Sequence, residues 1–230
     1  MERDTRSFDE LPTRVTFVRH GESVANQTRG WCFRDKAERE AYRVACGSLA
    51  DQDVPLSELG REQAKLVGQA IVAERPPTRV YCSPHRRTRE TMSLAFPEWP
   101  DNRVIYDLRL RERESYPFNC MTQTEIDYHF PWQQRLFKEV GAFYTRNPGG
   151  ESLADLADGR IRSFLEDLMW WVRLHPSGDH VVVFTHGNVM KVIWLLHGDH
   201  DPEELRDENA LRIGNCATMS YDAVLRLSGV

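Results

Sequence analysis

Residues 14–26 read RVTFVRHGESVAN, an apolar run that ends in an arginine and a histidine and then breaks at glycine. Val15, Phe17 and Val18 are the β-branched and aromatic residues of a buried strand. Arg19 and His20 at its end are costly to bury unpartnered. They must meet solvent or an anion.

The pattern recurs at HVVVFTHGN, where an apolar strand delivers His186 and then Gly187. TRVYCSP is a short strand stopping at Ser83-Pro84, and RVIYD is another. Ser83 as N-cap with Pro84 at the first helical position predicts a helix that carries His85, Arg86, Arg87, Thr88 and Arg89 in its opening turns. DVPLSELGREQAKLVGQAIVAE predicts a helix capped by Ser57, with an apolar stripe at Leu59, Leu66, Val67, Ala70 and Ile71. GGESLADLADGRIRSFLEDLMWWVRLH predicts a long helix opened by a Ser152/Asp155 capping box. NVMKVIWLLHG is a further helix, and ATMSYDAVLRL alternates as an outer strand. Strands alternating with helices indicate an α/β sandwich with a mainly parallel central sheet.

The 230 residues suit one domain, with residues 1–12 as a flexible arm and two inserted cap segments, 29–50 and 107–149. The first insert contains the helical stretch DKAEREAYRVA; the second reads as irregular and rich in aromatics. A net charge of −5 excludes a general nucleic-acid binder, and no apolar run is long enough to span a membrane. The charged N-terminus lacks the apolar core of a signal peptide. Five scattered cysteines, none in a CxxC pair, fit reduced thiols in a cytoplasmic protein, with Cys82 and Cys216 as small buried hydrophobes.

In an open parallel sheet, ligands bind beyond the carboxyl ends of the strands. That edge receives Arg19, His20, Ser83, the arginine-loaded helix start and His186. Histidines, arginines and helix N-termini together fit a phosphoryl group, whose oxygens match the guanidinium fork.

Six stretches, VRHGESVAN, DVPLSELGREQA, YCSPHRRTRET, DLRLRERE, GGESLADLADGR and VVVFTHGN, carry a resemblance over most of the chain from Arg14 to Asn188. Together they resemble the histidine phosphatase superfamily, also called phosphoglycerate mutase-like. The resemblance implies a three-layer α/β/α sandwich. It matches His20 to the nucleophile that becomes phosphorylated, and Arg19 to the arginine beside it that grips the phosphate. Asn26 falls where the family often has an asparagine near the phosphoryl group. Arg87, rather than Arg86, matches the pocket arginine, His186 the second pocket histidine, and Glu112 the acid that protonates the leaving oxygen. Ser23, Arg34 of the first insert, and Tyr144 before GGES are expected substrate contacts. Glu22 is a weaker candidate for the acid and reads equally as a structural hydrogen-bond acceptor.

The chemistry is consistent with those matches. A neutral imidazole can attack phosphorus if its other nitrogen is held by an acceptor such as a backbone carbonyl. A departing alkoxide needs a proton, and a phosphate beside the acid raises the acid's pKa. The expectation is a phosphomonoesterase acting on a small-molecule phosphate ester, with neither metal nor cofactor. The alternatives are a bisphosphoglycerate-dependent mutase, whose Glu-Arg-His-Tyr-Gly signature is replaced here by ERESYP, and a non-enzymatic phosphoprotein-binding module. HGDHD, residues 197–201, is a metal-ligand candidate read as a solvated helix end. Oligomeric state is not legible.

Overall fold

The fold was analysed in a computed structural model that describes residues 12–28, 32–47, 50–198, 200–207 and 211–222. The strands are β1 (Arg14–Arg19), β2 (Arg79–Cys82), β3 (Val104–Tyr106), β4 (His180–Thr185) and β5 (Thr218–Asp222). The α-helices are α1 (Val24–Thr28), α2 (Lys36–Cys46), α3 (Glu58–Glu74), α4 (Arg86–Ala95), α5 (Gln123–His129), α6 (Gln133–Tyr144), α7 (Leu153–Leu156), α8 (Arg162–Leu174) and α9 (Gly187–Gly198).

Among the described residues the sheet order is β3-β2-β4-β1-β5. The first four strands run parallel and β5 closes the edge antiparallel. The period of two along each strand builds the layers. Val15, Phe17, Val181 and Val183 face one side and pack against α8 and α9 through Phe164, Leu168, Val189 and Ile193. Val18, Val80, Val182 and Phe184 face the other and pack against α3 and α4 through Ile71 and Met92. β4 is buried throughout, as a central parallel strand covered on both faces must be. The result is a three-layer α/β/α sandwich.

Several local expectations need correction. The buried face of α3 is Gly60, Ala64, Gly68 and Ile71, while Leu59 and Leu66 are exposed. Small residues at intervals of four let α3 lie close against α4; a Cβ on Gly68 would stand 2.1 Å from the Ala95 carbonyl oxygen. Helix α4 starts at Arg86, so His85 is its N-cap residue and Ser83-Pro84 forms a turn before it. The 107–149 stretch is less irregular than expected, since it contains α5 and α6, the former opened by a Thr122/Glu125 capping box. The long helix is real, with the Ser152/Asp155 capping box, but Ala157–Ile161 between α7 and α8 is π-helical. Cys82 is buried, whereas Cys216 is half-buried with a left-handed backbone (φ 54°). None of the five cysteines forms a disulfide among the described residues.

The proposed arm lies outside the described residues apart from Pro12, which bridges to Ser177. Trp31 and Asp199 also lie outside them. No helix among the described residues is long and apolar enough to cross a membrane.

Candidate active site

Strand register builds the site. Arg19 pairs with Thr185 across adjacent parallel strands, so the next residues, His20 and His186, emerge side by side. Their rings lie 5.2 Å apart in an edge contact. Cys82 pairs with Phe184 one strand further, which sets Ser83 beside β4, and its hydroxyl reaches His186 Nε2 at 2.8 Å. Four residues distant in sequence, Arg19, His20, Arg87 and His186, therefore converge at the carboxyl edge of the sheet.

The glycine after His20 answers a packing demand. A Cβ on Gly21 would lie 2.4 Å from the Gly60 carbonyl oxygen, and one on Gly60 would lie 1.9 Å from that of Glu22. The two glycines allow the loop after β1 to lie directly on the start of α3. Glu22 fixes that contact by accepting from the Ser57 hydroxyl (2.7 Å) and the Gln27 amide (2.8 Å), as expected of a structural acceptor.

His20 donates from Nδ1 to its neighbouring Gly21 carbonyl at 2.7 Å. Its Nε2 is thus the unprotonated nitrogen, and it accepts from Arg87 Nε at 3.3 Å. Burial, reinforced by Arg87 and Arg19, holds the His20 pKa well below the usual histidine value, so the ring is neutral.

His186 is completely buried, in edge contact with both His20 and His85. Its pKa is also held well below normal, by burial first and then by Arg87. The Ser83 hydroxyl shares a hydrogen bond with Nε2, which leaves Nδ1 as the ring's other nitrogen. That Nδ1 has no partner. His180, at the opposite end of β4, is the structural contrast. Its two nitrogens are both used, by the Arg75 carbonyl (2.6 Å) and the Thr16 hydroxyl (2.9 Å).

Arg19 donates to the Ile213 carbonyl, and its buried Nε has no partner. Burial lowers its pKa, with Glu112 opposing through its charge. Arg87, 4% exposed, donates to Asp51. Glu112 accepts from the Arg113 backbone amide at 2.8 Å.

A cavity of about 940 Å³ opens over these groups. Arg19, His20, Ser23, Asn26, Arg87 and Glu112 all line it. Asn26 is exposed, and its side-chain oxygen accepts from the Ser23 amide and hydroxyl, both at 3.1 Å. His186 touches the lining residues His20 and His85 but does not itself line the cavity.

Two expected substrate contacts are not brought to this cavity. The Arg34 side chain is 83% exposed and pairs with Glu38, four residues along, near the start of α2. Tyr144 is exposed at the end of α6. Both lie in segments whose direction the sequence does not set.

Three residues were missed. Asp51 reaches Arg87 and stands 3.6 Å from His85 Nδ1. His85, read as part of a basic helix turn, lines the cavity, and burial lowers its pKa to about 4. Arg160 is buried beneath the loop that carries Glu112. It donates to the carbonyls of Arg109, Arg111 and Glu112, and pairs with both oxygens of Glu151. Its place in GGESLADLADGR, one of the six stretches that carry the family resemblance, was the available signal for it.

Among the described residues no group of three or more His, Cys, Asp or Glu side chains is placed to hold a metal ion. In the HGDHD segment, His197 packs on Tyr221 and His200 stacks on Trp194.

This arrangement has counterparts. The profile of the histidine phosphatase superfamily, branch 1, matches residues 15–223, and the chain belongs to that family. It is 29% identical over 202 residues to the phosphoglycerate mutase-like protein AT74H of Arabidopsis thaliana, covering 79% of this chain but 64% of that protein. It is 28% identical to a 2,3-bisphosphoglycerate-dependent phosphoglycerate mutase 2 of Gloeobacter violaceus, over 90% of this chain and 84% of the relative. The fold is shared with a mycobacterial glucosyl-3-phosphoglycerate phosphatase solved with VO3, at TM-score 0.64 and 23% identity, over 90% of this chain and 91% of that one.

Proposed function

We propose that this protein hydrolyses small phosphate monoesters through a phosphohistidine on His20. The observation that carries the reading is the state of that ring. It is neutral, its Nδ1–H is held by Gly21, and its Nε2 lone pair points at the Arg87 guanidinium on the cavity wall.

In the first step Nε2 forms a bond to phosphorus and the phosphorus–oxygen ester bond breaks. The leaving oxygen takes the Glu112 proton. In the second, water attacks phosphohistidine, Glu112 accepts the water's proton, and phosphate departs, restoring neutral His20. Arg19 and Arg87 are the donors for the equatorial oxygens, where preorganised charge contributes most, and His186 packs beside His20. Asn26 and Ser23 border the same pocket. Uncatalysed phosphomonoester hydrolysis is slow enough that accelerations can approach ~10²¹-fold, so the barrier must be divided between two steps and several donors. The route uses only side chains of this chain, and turnover in excess chelator is expected. Five cysteines with no disulfide between them among the described residues fit a reducing, cytoplasmic setting.

The test is a panel of phosphate esters assayed with wild type and His20→Ala. Phosphate release that the substitution abolishes supports the reading; equal activity in both removes His20 as nucleophile. The similarity to mutases favours a second reading. A phosphohistidine that resists water and transfers to a phosphoglycerate would establish it.

A further inference from the structure

A second cavity, of about 320 Å³, lies between α5, α6 and the first turns of α9. Phe118, Ile126, Phe130, Phe137, Ala142 and Leu153 form its apolar walls, and the rest of its lining is polar or charged. The rings of Phe118 and Phe130 are 5.3 Å apart on one side. A dry cavity of ~150 Å³ already holds benzene, so this volume takes a ring with a short linker.

Two further observations say what fills it. Arg113 and Asn188 line both this cavity and the catalytic one. Each is adjacent to the proposed chemistry, since Arg113 follows Glu112 and Asn188 lies two residues past His186. The leaving oxygen must face Glu112 to be protonated, so the carbon skeleton behind it is directed past Arg113 toward this cavity. Gln133 supplies the other observation. It is 7% exposed, its amide nitrogen donates to the Arg146 carbonyl and to Asn147 Oδ1 (3.3 Å each), and its buried Oε1 has no partner. An apolar ring carrying one hydrogen-bond donor would complete that amide as well as fill the apolar wall.

We propose that this cavity is the leaving-group subsite, and that the preferred substrates are phosphate monoesters of alcohols bearing an apolar ring. This rests on the phosphatase reading and names its substrate class. A polyol fits poorly. Hydroxyls facing the apolar part of the wall would be buried without partners, since Thr145 already donates to the Gly141 carbonyl and Asn147 Oδ1 accepts from Gln133, although Gln123, Gln134 and Asn188 also line the cavity. Charged groups, Lys138 and Asp127 among them, contribute to its lining beside the apolar walls.

Phosphonates test the subsite without turnover. Calorimetric titration of the full chain with 3-phenylpropylphosphonate should give a Kd at least tenfold below that of methylphosphonate. 2,3-Dihydroxypropylphosphonate should bind no tighter than methylphosphonate. Ala142→Phe, which fills the cavity, should bring the phenylpropyl-to-methyl ratio within twofold of one and leave methylphosphonate binding unchanged. Phe137→Ser, which removes a half-buried wall and no other contact named here, should lower the ratio at least threefold. A wild-type ratio near one, or a full preference retained in both variants, would overturn the subsite. Phosphate release from 3-phenylpropyl phosphate, measured in parallel, reports on the phosphatase reading alone. Its absence with the binding ratio intact would remove that reading and keep the subsite.

Discussion

Asp51 clasps Arg87. Its Oδ2 accepts from Arg87 Nη2 at 2.8 Å and its backbone carbonyl from Nη1 at 2.6 Å, so two donors of the pocket arginine are engaged by this chain's own acidic residue. A phosphoryl group needing the same fork must displace the carboxylate and tolerate its charge nearby. Two unit charges at ~4 Å interact by about 4 kcal/mol at an effective dielectric near 20. Asp51→Asn is therefore expected to tighten product inhibition by inorganic phosphate several-fold and to lower KM. An inhibition constant that rises instead would show that Asp51 positions Arg87 rather than competing for it.

Glu112 is assigned the proton for the leaving oxygen, a contribution of roughly 10²–10⁴-fold for a general acid. Glu112→Gln should cost kcat on alkyl phosphates on the order of 10³-fold, and far less on aryl phosphates, whose leaving groups depart unprotonated. Single-turnover rates on matched alkyl and aryl esters measure the difference. Equal losses would assign the proton to another donor.

Arg160 is expected to act on the proposed reaction through Glu112. Burial pushes the Glu151 carboxyl up, but its bonds with Arg160 and the Glu114 amide outweigh this and hold it below the usual value. The pair ties the π-helical turn to the three carbonyls of the 109–112 loop. Arg160→Lys keeps the charge and loses the fork. It should lower kcat on an alkyl phosphate about tenfold while inorganic phosphate binding stays within about twofold. A loss of phosphate binding equal to the loss of kcat would mean collapse of the pocket rather than misplacement of Glu112.

Stability should fall with acid. His20, His85 and His186 all have folded-state pKa values below the ordinary 6.5. The unfolded chain then binds more protons below that pH, so the stabilisation is fully present above about 6.5 and is lost as pH falls toward the folded values. For His85 the window runs from 6.5 to about 4, a contribution of about 3 kcal/mol. Urea midpoints measured from pH 7.5 to 4.5 should decline, and less steeply in His85→Gln. A flat profile would contradict neutral burial of these rings.

The legible part of this molecule is what short-range pattern controls. An apolar run ending in Arg-His-Gly, and another ending in Thr-His-Gly, place two histidines at strand ends, and in-register parallel pairing then makes them neighbours. Ser57 and Ser152 cap their helices as expected because a cap is decided within four residues. What failed depends on distant partners. The apolar stripe pointed to Leu59 and Leu66, but close packing selects Gly60, against the loop after β1, and Gly68, against α4. Ser83 was expected to cap α4 and instead reaches across the sheet to His186. Asp51 belongs to no recognisable pattern, and only the path of the first insert brings it to Arg87. Arg34 and Tyr144 were placed by proximity in sequence to the motifs, which the chain's direction did not honour.

The central claim is covalent chemistry at His20 Nε2, and the most direct measurement is to trap it. Wild type mixed with a fast-leaving aryl phosphate, quenched within milliseconds in alkali and digested, should yield one peptide heavier by a phosphoryl group. The modification should map to His20, be stable in base and labile in acid, and be absent from His20→Ala. Turnover with no phosphorylated peptide at any quench time, or label on a different residue, would contradict the account.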